Sequence, residues 1–256
     1  MRADQLLVER GLAASRSQAQ RLIASGVRWR VGVADWQTVS KNGDELPAQA
    51  ELVVPDNAEA RYVSRGGLKL EGALRDSGVQ VQDKRCLDVG QSTGGFTDCL
   101  LQHGAAQVVG LDVGHDQLHP RLRSDARVVC VERLNARELQ TGDARVPQAE
   151  LGFDLIVADV SFISLTKVLP QVLMFLRPQG ECLMLVKPQF ELQPSDIGKG
   201  GLVKDPARYA DVQARMQQAC AELGLTMWGY WPSAIAGGDG NQEFWMAAHR
   251  SDAPIL

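Results

Sequence analysis

The chain has 256 residues, 45% of them hydrophobic, and a formal net charge of -4 at pH 7. That apolar share can bury a substantial core and excludes wholesale disorder; the acidic balance excludes a chain that coats nucleic acid by bulk charge and leaves room only for a local basic face. Five scattered cysteines, Cys86, Cys99, Cys130, Cys182 and Cys220, form no C-x-x-C pair and predict reduced, mostly buried thiols in a cytoplasm rather than disulfides or zinc. The histidines give no metal-ligand spacing beyond His115 and His119, which lack accompanying ligands, so no metal is expected. Asp4 and Glu9 interrupt the N-terminus before an apolar signal could develop, and Asp159, Lys167 and Pro170 interrupt the most apolar region, 155–176, so neither a signal peptide nor a membrane span is expected.

Residues 1–55 read as a separate small α+β module. Met1 to Glu9 predicts a short helix with Leu6, Leu7 and Leu12 inward, and Ser15 can cap a second helix that ends near Gly26. Val27, Trp29, Val31 and Val33 then alternate with polar residues, as in a strand. Across residues 1–41, seven basic residues stand against three acidic ones, a local charge of +4 within an acidic chain. Arg2, Arg10, Arg16, Arg21, Arg28 and Arg30 on a compact surface can contact the phosphates of structured RNA. The run from Arg2 to Val27 resembles the RNA-binding module of the ribosomal-protein-S-four type, although Trp29-Arg30-Val31-Gly32 replaces that module's usual Val-Asn-Gly turn.

Residues 56–64 read as a linker, and 65–250 as the larger domain. Ser64 or the pair Gly66-Gly67 can start a helix through Leu68, Leu70, Ala73 and Leu74 that ends near Gly78. A strand at 85–89 ends in Asp88-Val89, a glycine-rich turn follows, and Phe96 to Leu101 has helical spacing. Such a loop suits a nucleotide-like cofactor, because glycine lets the backbone approach it and a helix N-terminus offers free N–H groups. Counted from Gly90, the third position of a dinucleotide fingerprint is Ser92 and not glycine, whereas Asp88, Gly90 and Gly94 fit the Asp-x-Gly-x-x-x-Gly spacing common in S-adenosylmethionine enzymes. Asp112, ending a second strand about twenty residues on, is where a ribose-binding carboxylate sits in either class.

Further strands are predicted at 107–112, 127–131, 154–160 and 181–187, with helices at 95–103, 116–122, 166–177 (kinked at Pro170) and 206–223, the last capped by Asp205. Two final strands, 225–233 and 243–249, are joined by a loop too short for a crossover helix and should be antiparallel. The fold class is therefore α/β, a Rossmann-like, mostly parallel sheet closed by an antiparallel last strand, which is similar to the S-adenosylmethionine-dependent methyltransferase fold. Ligands in such sheets bind beyond the carboxyl ends of the strands, where Asp88, Asp112, Asp159 and Lys187 fall. A lysine closing the apolar run Cys182 to Val186 needs a partner or an opening to solvent, and Asp159 is the natural partner.

Lys69, Asp159, Lys187 and Glu243 occur in the order of the Lys-Asp-Lys-Glu tetrad of FtsJ-type ribose 2′-O-methyltransferases. The words Tyr62 to Leu70, Asp159 to Leu165, Val186 to Glu191 and Gly240 to Phe244 resemble the TlyA family of ribosomal RNA methyltransferases over nearly the whole chain. The resemblance implies methyl transfer from S-adenosylmethionine to the 2′-hydroxyl of a cytidine in ribosomal RNA or ribosomal subunits. It implies Lys187 as the base, Lys69 and Glu243 as its orienting partners, and Asp159 as a further contact of the cofactor's methionine end. The cofactor would meet Asp88, Gly90, Ser92, Thr93, Gly94, Gly95, Phe96, Asp112, Val113, Asn135, Ala136 and Asp159, and Arg65 would join the RNA-binding arginines. Gln91 departs from the small residue usual at its position and would crowd the cofactor. The polar segment 194–201 is expected to be a mobile loop over the substrate. TlyA-like proteins are also described as haemolysins, and a non-catalytic RNA-binding assembly factor is a further alternative.

Overall fold

A computed structural model describes residues 1–13, 15–55 and 61–250; the greater part of the expected linker, 56–60, lies outside the described residues. At the N-terminus, α1 (Ala3–Glu9) and α2 (Arg16–Ala24) share a core with a small antiparallel sheet of β1 (Arg28–Arg30), β2 (Gln37–Thr38) and β3 (Glu51–Val53), in the order β2-β1-β3. The hydroxyl of Ser15 accepts from the Gln18 amide at 3.2 Å and starts α2. Asp4 is fully buried and accepts from Arg2 Nε (3.0 Å), Arg16 Nη2 (3.0 Å) and Gln20 Nε2 (3.4 Å), joining α1 to α2. The Arg2 hydrogen bond above all holds the Asp4 carboxyl well below the usual carboxylate range.

Two expectations fail here. Leu12 is 39% exposed, because α1 stops at Glu9 and Gly11, at φ +68°, turns the chain away from the core that Leu6 and Leu7 enter. The alternation continuing through Val31 and Val33 forms strand only at Arg28–Arg30; Gly32 at φ +56° breaks it, and Val33 is fully exposed.

The larger sheet contains β4 (Arg85–Val89), β5 (Gln107–Leu111), β6 (Val128–Val131), β7 (Phe153–Ala158), β8 (Leu176–Val186), β9 (Leu225–Pro232) and β10 (Phe244–Arg250), in the order β6-β5-β4-β7-β8-β10-β9. The first five are parallel, and β10 is antiparallel to both β8 and β9. Successive side chains enter opposite faces: Leu87 and Val89 join one apolar cluster with Val212, Met216 and Cys220 of α5 (Tyr209–Glu222), while Cys86 joins the other. That second cluster is covered by α3 (Arg65–Ser77), which ends on left-handed Gly78, and α4 (Gly95–Gln102). Tyr62 and Val63, ahead of α3, are buried in the same cluster, and the Val63 amide donates to Asp98 Oδ2 at 2.9 Å.

The helix expected at 116–122 is only Pro120–Arg123, because Pro120 supplies a fixed first helical position and the His119 ring caps it. The 166–177 helix is broken into short turns around Leu169–Val172, with Pro170 in its first turn. From β4 the chain steps outward to β5 and β6, then returns to β7 on the other side of β4. The crevice beyond β4 and β7 is thus the point where strand order reverses and ligands collect.

Candidate active site

Two cavities open side by side at this crevice and share Ser161 and Phe162. The first, about 380 Å³, is bounded by the ends of β4, β5 and β7. Of the expected cofactor contacts, Gly90, Ser92, Asp112, Val113, Asn135, Ala136 and Asp159 line it. Asp112 is held by the Ser92 amide (2.6 Å) and the Gly114 amide (2.7 Å), one on each carboxylate oxygen. Each oxygen keeps acceptor capacity for a ribose hydroxyl. Gly90, at φ +85°, admits no side chain: a Cβ would stand 2.4 Å from the Asp159 carbonyl oxygen. The donor set and the apolar floor of Leu134, Ile163 and Val168 fit an adenosine-bearing cofactor.

The other five expected contacts lie away from this cavity. Gly94 and Gly95 serve packing, since a Cβ would meet Leu122 Cδ1 at 2.3 Å in the first case and Ser64 Oγ at 2.2 Å in the second. Phe96 is buried and stacks on Trp245 with centroids 5.7 Å apart. Thr93 turns its carbonyl to the His119 amide. Asp88 lies beneath the loop, where it accepts from the Thr97 hydroxyl at 2.7 Å, and Thr97 in turn accepts from Gln91 Nε2 at 2.9 Å. Burial pushes the Asp88 carboxyl up to about 7 against the Thr97 hydrogen bond, and the charge of Asp159 adds to the rise.

Gln91 therefore does not crowd the cofactor. Its side chain is buried over β5, in the space that Gly110 leaves by having no Cβ.

Four charged groups meet near the second cavity, which is about 450 Å³ and lined by Lys187 and Glu243 among others. Lys187 follows β8 and Asp159 follows the neighbouring β7; their ion pair is 2.6 Å long. Lys69 from α3 pairs with Glu243, which precedes β10 and is set beside Lys187 by the register Phe244↔Val186. The tetrad is thus two ion pairs, with side-chain exposures of 10% for Lys69 and 3% for Glu243. Burial raises the Glu243 carboxyl above its ordinary value, and Lys69 and then Lys187 oppose the rise. Two cations and two anions leave no uncompensated buried charge, which is the condition for tolerating them there.

Several lining residues lie within the words that carry the resemblance but were given no role from the sequence. Ser161 Oγ accepts from Lys187 Nζ at 2.7 Å. Phe162, 91% exposed at φ +63°, faces Phe190 at 5.2 Å. A bulky residue in the left-handed region is strained, and such strain collects at ligand sites. Segment 194–201, expected as a mobile loop over the substrate, contributes Ile197, Gly200 and Gly201 to the wall of this cavity, where Ile197 bridges Val203 and Asn241 Nδ2 donates to the Gly201 carbonyl at 3.0 Å.

The expected RNA-binding arginines divide. Arg2 and Arg16 hold Asp4, and Arg10 donates to the carbonyls of Ala48 and Ala50. Arg30 pairs with Glu51 and, with Arg28, lies over the Trp36 ring at 4.6 and 5.9 Å respectively. Arg21 lies in the last turn of α2. Arg65 donates to the Ala236 carbonyl at 3.0 Å, tying α3 to the loop before Glu243. Among the described residues no group of three or more His, Cys, Asp or Glu is placed to hold a metal, and no helix is long and apolar enough to cross a membrane.

Comparison with known proteins gives a consistent picture. A family model described as FtsJ-like methyltransferase matches residues 62–250. The chain is 43% identical over 246 residues to the 16S/23S rRNA (cytidine-2′-O)-methyltransferase TlyA of Mycobacterium tuberculosis, covering 96% of this chain and 88% of that protein. It is 38% identical to Hemolysin A of Brachyspira hyodysenteriae, covering 95% and 98% of the two chains. A solved structure from Streptococcus thermophilus, described as a candidate hemolysin, superposes with a TM-score of 0.75 at 37% identity over 99% of this chain and 90% of that one.

Proposed function

The chain belongs to the FtsJ-like methyltransferase family, and from that premise we propose that it transfers a methyl group from S-adenosylmethionine to the ribose 2′-hydroxyl of a cytidine in ribosomal RNA, of the small subunit, the large subunit or both. The observation that carries this reading is the pair of ion pairs, Lys187–Asp159 and Lys69–Glu243, beside a cleft whose ribose-binding carboxylate is already held by backbone amides.

A ribose hydroxyl is a poor nucleophile at neutral pH, so a positioned base must take its proton as the new O–C bond forms. Lys187 Nζ is that base once it has released its own proton to solvent and stands as the free amine; Asp159 and Ser161 fix its direction from two sides. Lys69 and Glu243 form the second side of the acceptor pocket and orient the ribose. Asp112 would hold the cofactor's ribose hydroxyls, and Gly90, Asn135 and Ala136 bound the space its adenosine would take. When bound, S-adenosylmethionine supplies an electrophilic methyl on a sulfonium centre. Phe162 offers an exposed ring between the two cavities on which a base turned out of its stack can rest.

We assign 1–55 as an RNA-binding unit and 65–250, joined by 56–64, as the methyltransferase unit. Arg21, Arg28, Arg30 and Arg65 with the half-exposed Arg2 and Arg16 supply phosphate contacts. Such a substrate places the enzyme in the cytoplasm. The variant Lys187→Ala should bind cofactor and ribosomal subunits within about threefold of wild type and lose methyl transfer by a factor of about 10³ or more, in keeping with removal of a general base. Full activity in Lys187→Ala would remove the base assignment.

A further inference from the structure

The cavity beyond Lys187 has a polar end that proton transfer does not use. Gln189, two residues after Lys187, donates from Nε2 to Asp239 Oδ2 at 2.9 Å. Asp239 also accepts from the Asn241 amide (3.0 Å, on Oδ1) and from Asn241 Nδ2 (2.9 Å, on Oδ2). Both Gln189 and Asp239 line the cavity together with Phe162, Phe190 and Lys187.

An ionised carboxylate has about four acceptor sites, and three donors occupy this one, so Oδ1 keeps a vacancy. Because a carboxylate only accepts, the Gln189 amide must turn its nitrogen toward it. Its Oε1 is left out of water and accepts no hydrogen bond among the described residues. Asn241 is itself buried and braced to Val203 N and the Gly201 carbonyl, so the Asp239 carboxylate is held in place before any ligand arrives. An added Cβ at Gly237 would lie 2.6 Å from Asp239 Oδ1 and 3.0 Å from Glu243 Oε1, so this glycine is what lets the two carboxylates share the site.

We propose that this end of the cavity is a nucleobase subsite selective for a base bearing an exocyclic amine, read by the acceptors Asp239 Oδ1 and Gln189 Oε1. An amine carries two hydrogens for two acceptors. Uracil would present its O4 acceptor to a carboxylate and leave Gln189 Oε1 unmatched, and a site built to bond a donor rejects the analogue that lacks it. The hydrogen bonds from Asn241 and Gln189 hold the Asp239 carboxyl below its ordinary value against the effect of burial, so it stays an acceptor at neutral pH. Cytosine, adenine and guanine each present an exocyclic amine, so among the four bases these acceptors discriminate against uracil.

This inference rests on the RNA methyltransferase reading and is tested with it. The measurement is single-turnover methyl transfer to ribosomal subunits from strains whose rRNA carries cytidine or uridine at the modified position. Wild-type enzyme is expected to prefer cytidine by about 10⁴-fold, as for other sites built to hydrogen-bond a substrate group that the analogue lacks. Asp239→Asn, which can offer a donor, should lose tenfold or more on cytidine and gain on uridine. Gln189→Met, which leaves the Asn241 brace intact, should also narrow the ratio. Equal rates on both subunits with wild type, or an unchanged ratio in both variants, overturns the subsite. No methyl transfer to any ribose by wild type overturns the function itself, a distinct result.

Discussion

Gln91 shows how one side chain can carry opposite meanings in sequence and in space. Beside a glycine loop it reads as an obstruction to the ligand, but it points away from the cleft, donates to Thr97 and fills the place of the Cβ that Gly110 lacks. An alanine at Gly110 would put its Cβ 2.0 Å from Gln91 Cδ, so the two positions are fitted to one another. We expect Gln91→Ala to destabilise the fold by about 1–3 kcal/mol through the lost buried hydrogen bond and Gly110→Ala to cost about 1–3 kcal/mol through overpacking. The double variant should cost less than the sum by roughly 0.5–3 kcal/mol, because the added methyl occupies the space the shortened side chain leaves. Urea unfolding of the four proteins measures this; strict additivity would show that the fit has no energetic consequence.

At the scale of elements, the strands were legible because each is a short apolar run ending in a polar residue at the same edge of the sheet, as β4 does with Asp88 and β8 with Lys187 just beyond it. Helices were less legible where proline or a turn overrides apolar spacing, at Pro120 and Pro170. The loops after β7, β8 and β9 were legible at Asp159, Lys187 and Glu243 and not at Ser161, Phe162 and Asp239, which act through tertiary neighbours that no spacing encodes. Glu191 belongs to this group. Its buried carboxylate accepts from Ser164 Oγ and from the Leu165 amide, each at 2.6 Å, and so pins the loop carrying Asp159 and Ser161 to the turn carrying Lys187. Burial raises its carboxyl, against the Ser164 and Leu165 hydrogen bonds. Glu191→Ala should lower kcat about tenfold or more while leaving the KM for cofactor near wild type, whereas Glu191→Gln, which can accept from Leu165 and donate to Ser164, should restore most of the rate. Equal losses in both variants would show that charge and not positioning is what Glu191 supplies.

For the whole molecule, apolar clusters pack on both faces of the sheet, and that packing brings four charges, from α3 and from the ends of β7, β8 and β10, together beside one cavity. The basic N-terminal region was visible as local charge, but the use of that charge was not. Arg2, Arg10 and Arg16 spend hydrogen bonds on Asp4 and on backbone carbonyls, which stabilises the head as much as it dresses its surface. The central claim is the destination of the methyl group. Ribosomal subunits from a strain lacking this protein should be incubated with it and methyl-labelled S-adenosylmethionine, and the RNA then digested to nucleosides and resolved. The account predicts label in 2′-O-methylcytidine and its loss with Lys187→Ala; label in a base-methylated nucleoside would contradict it.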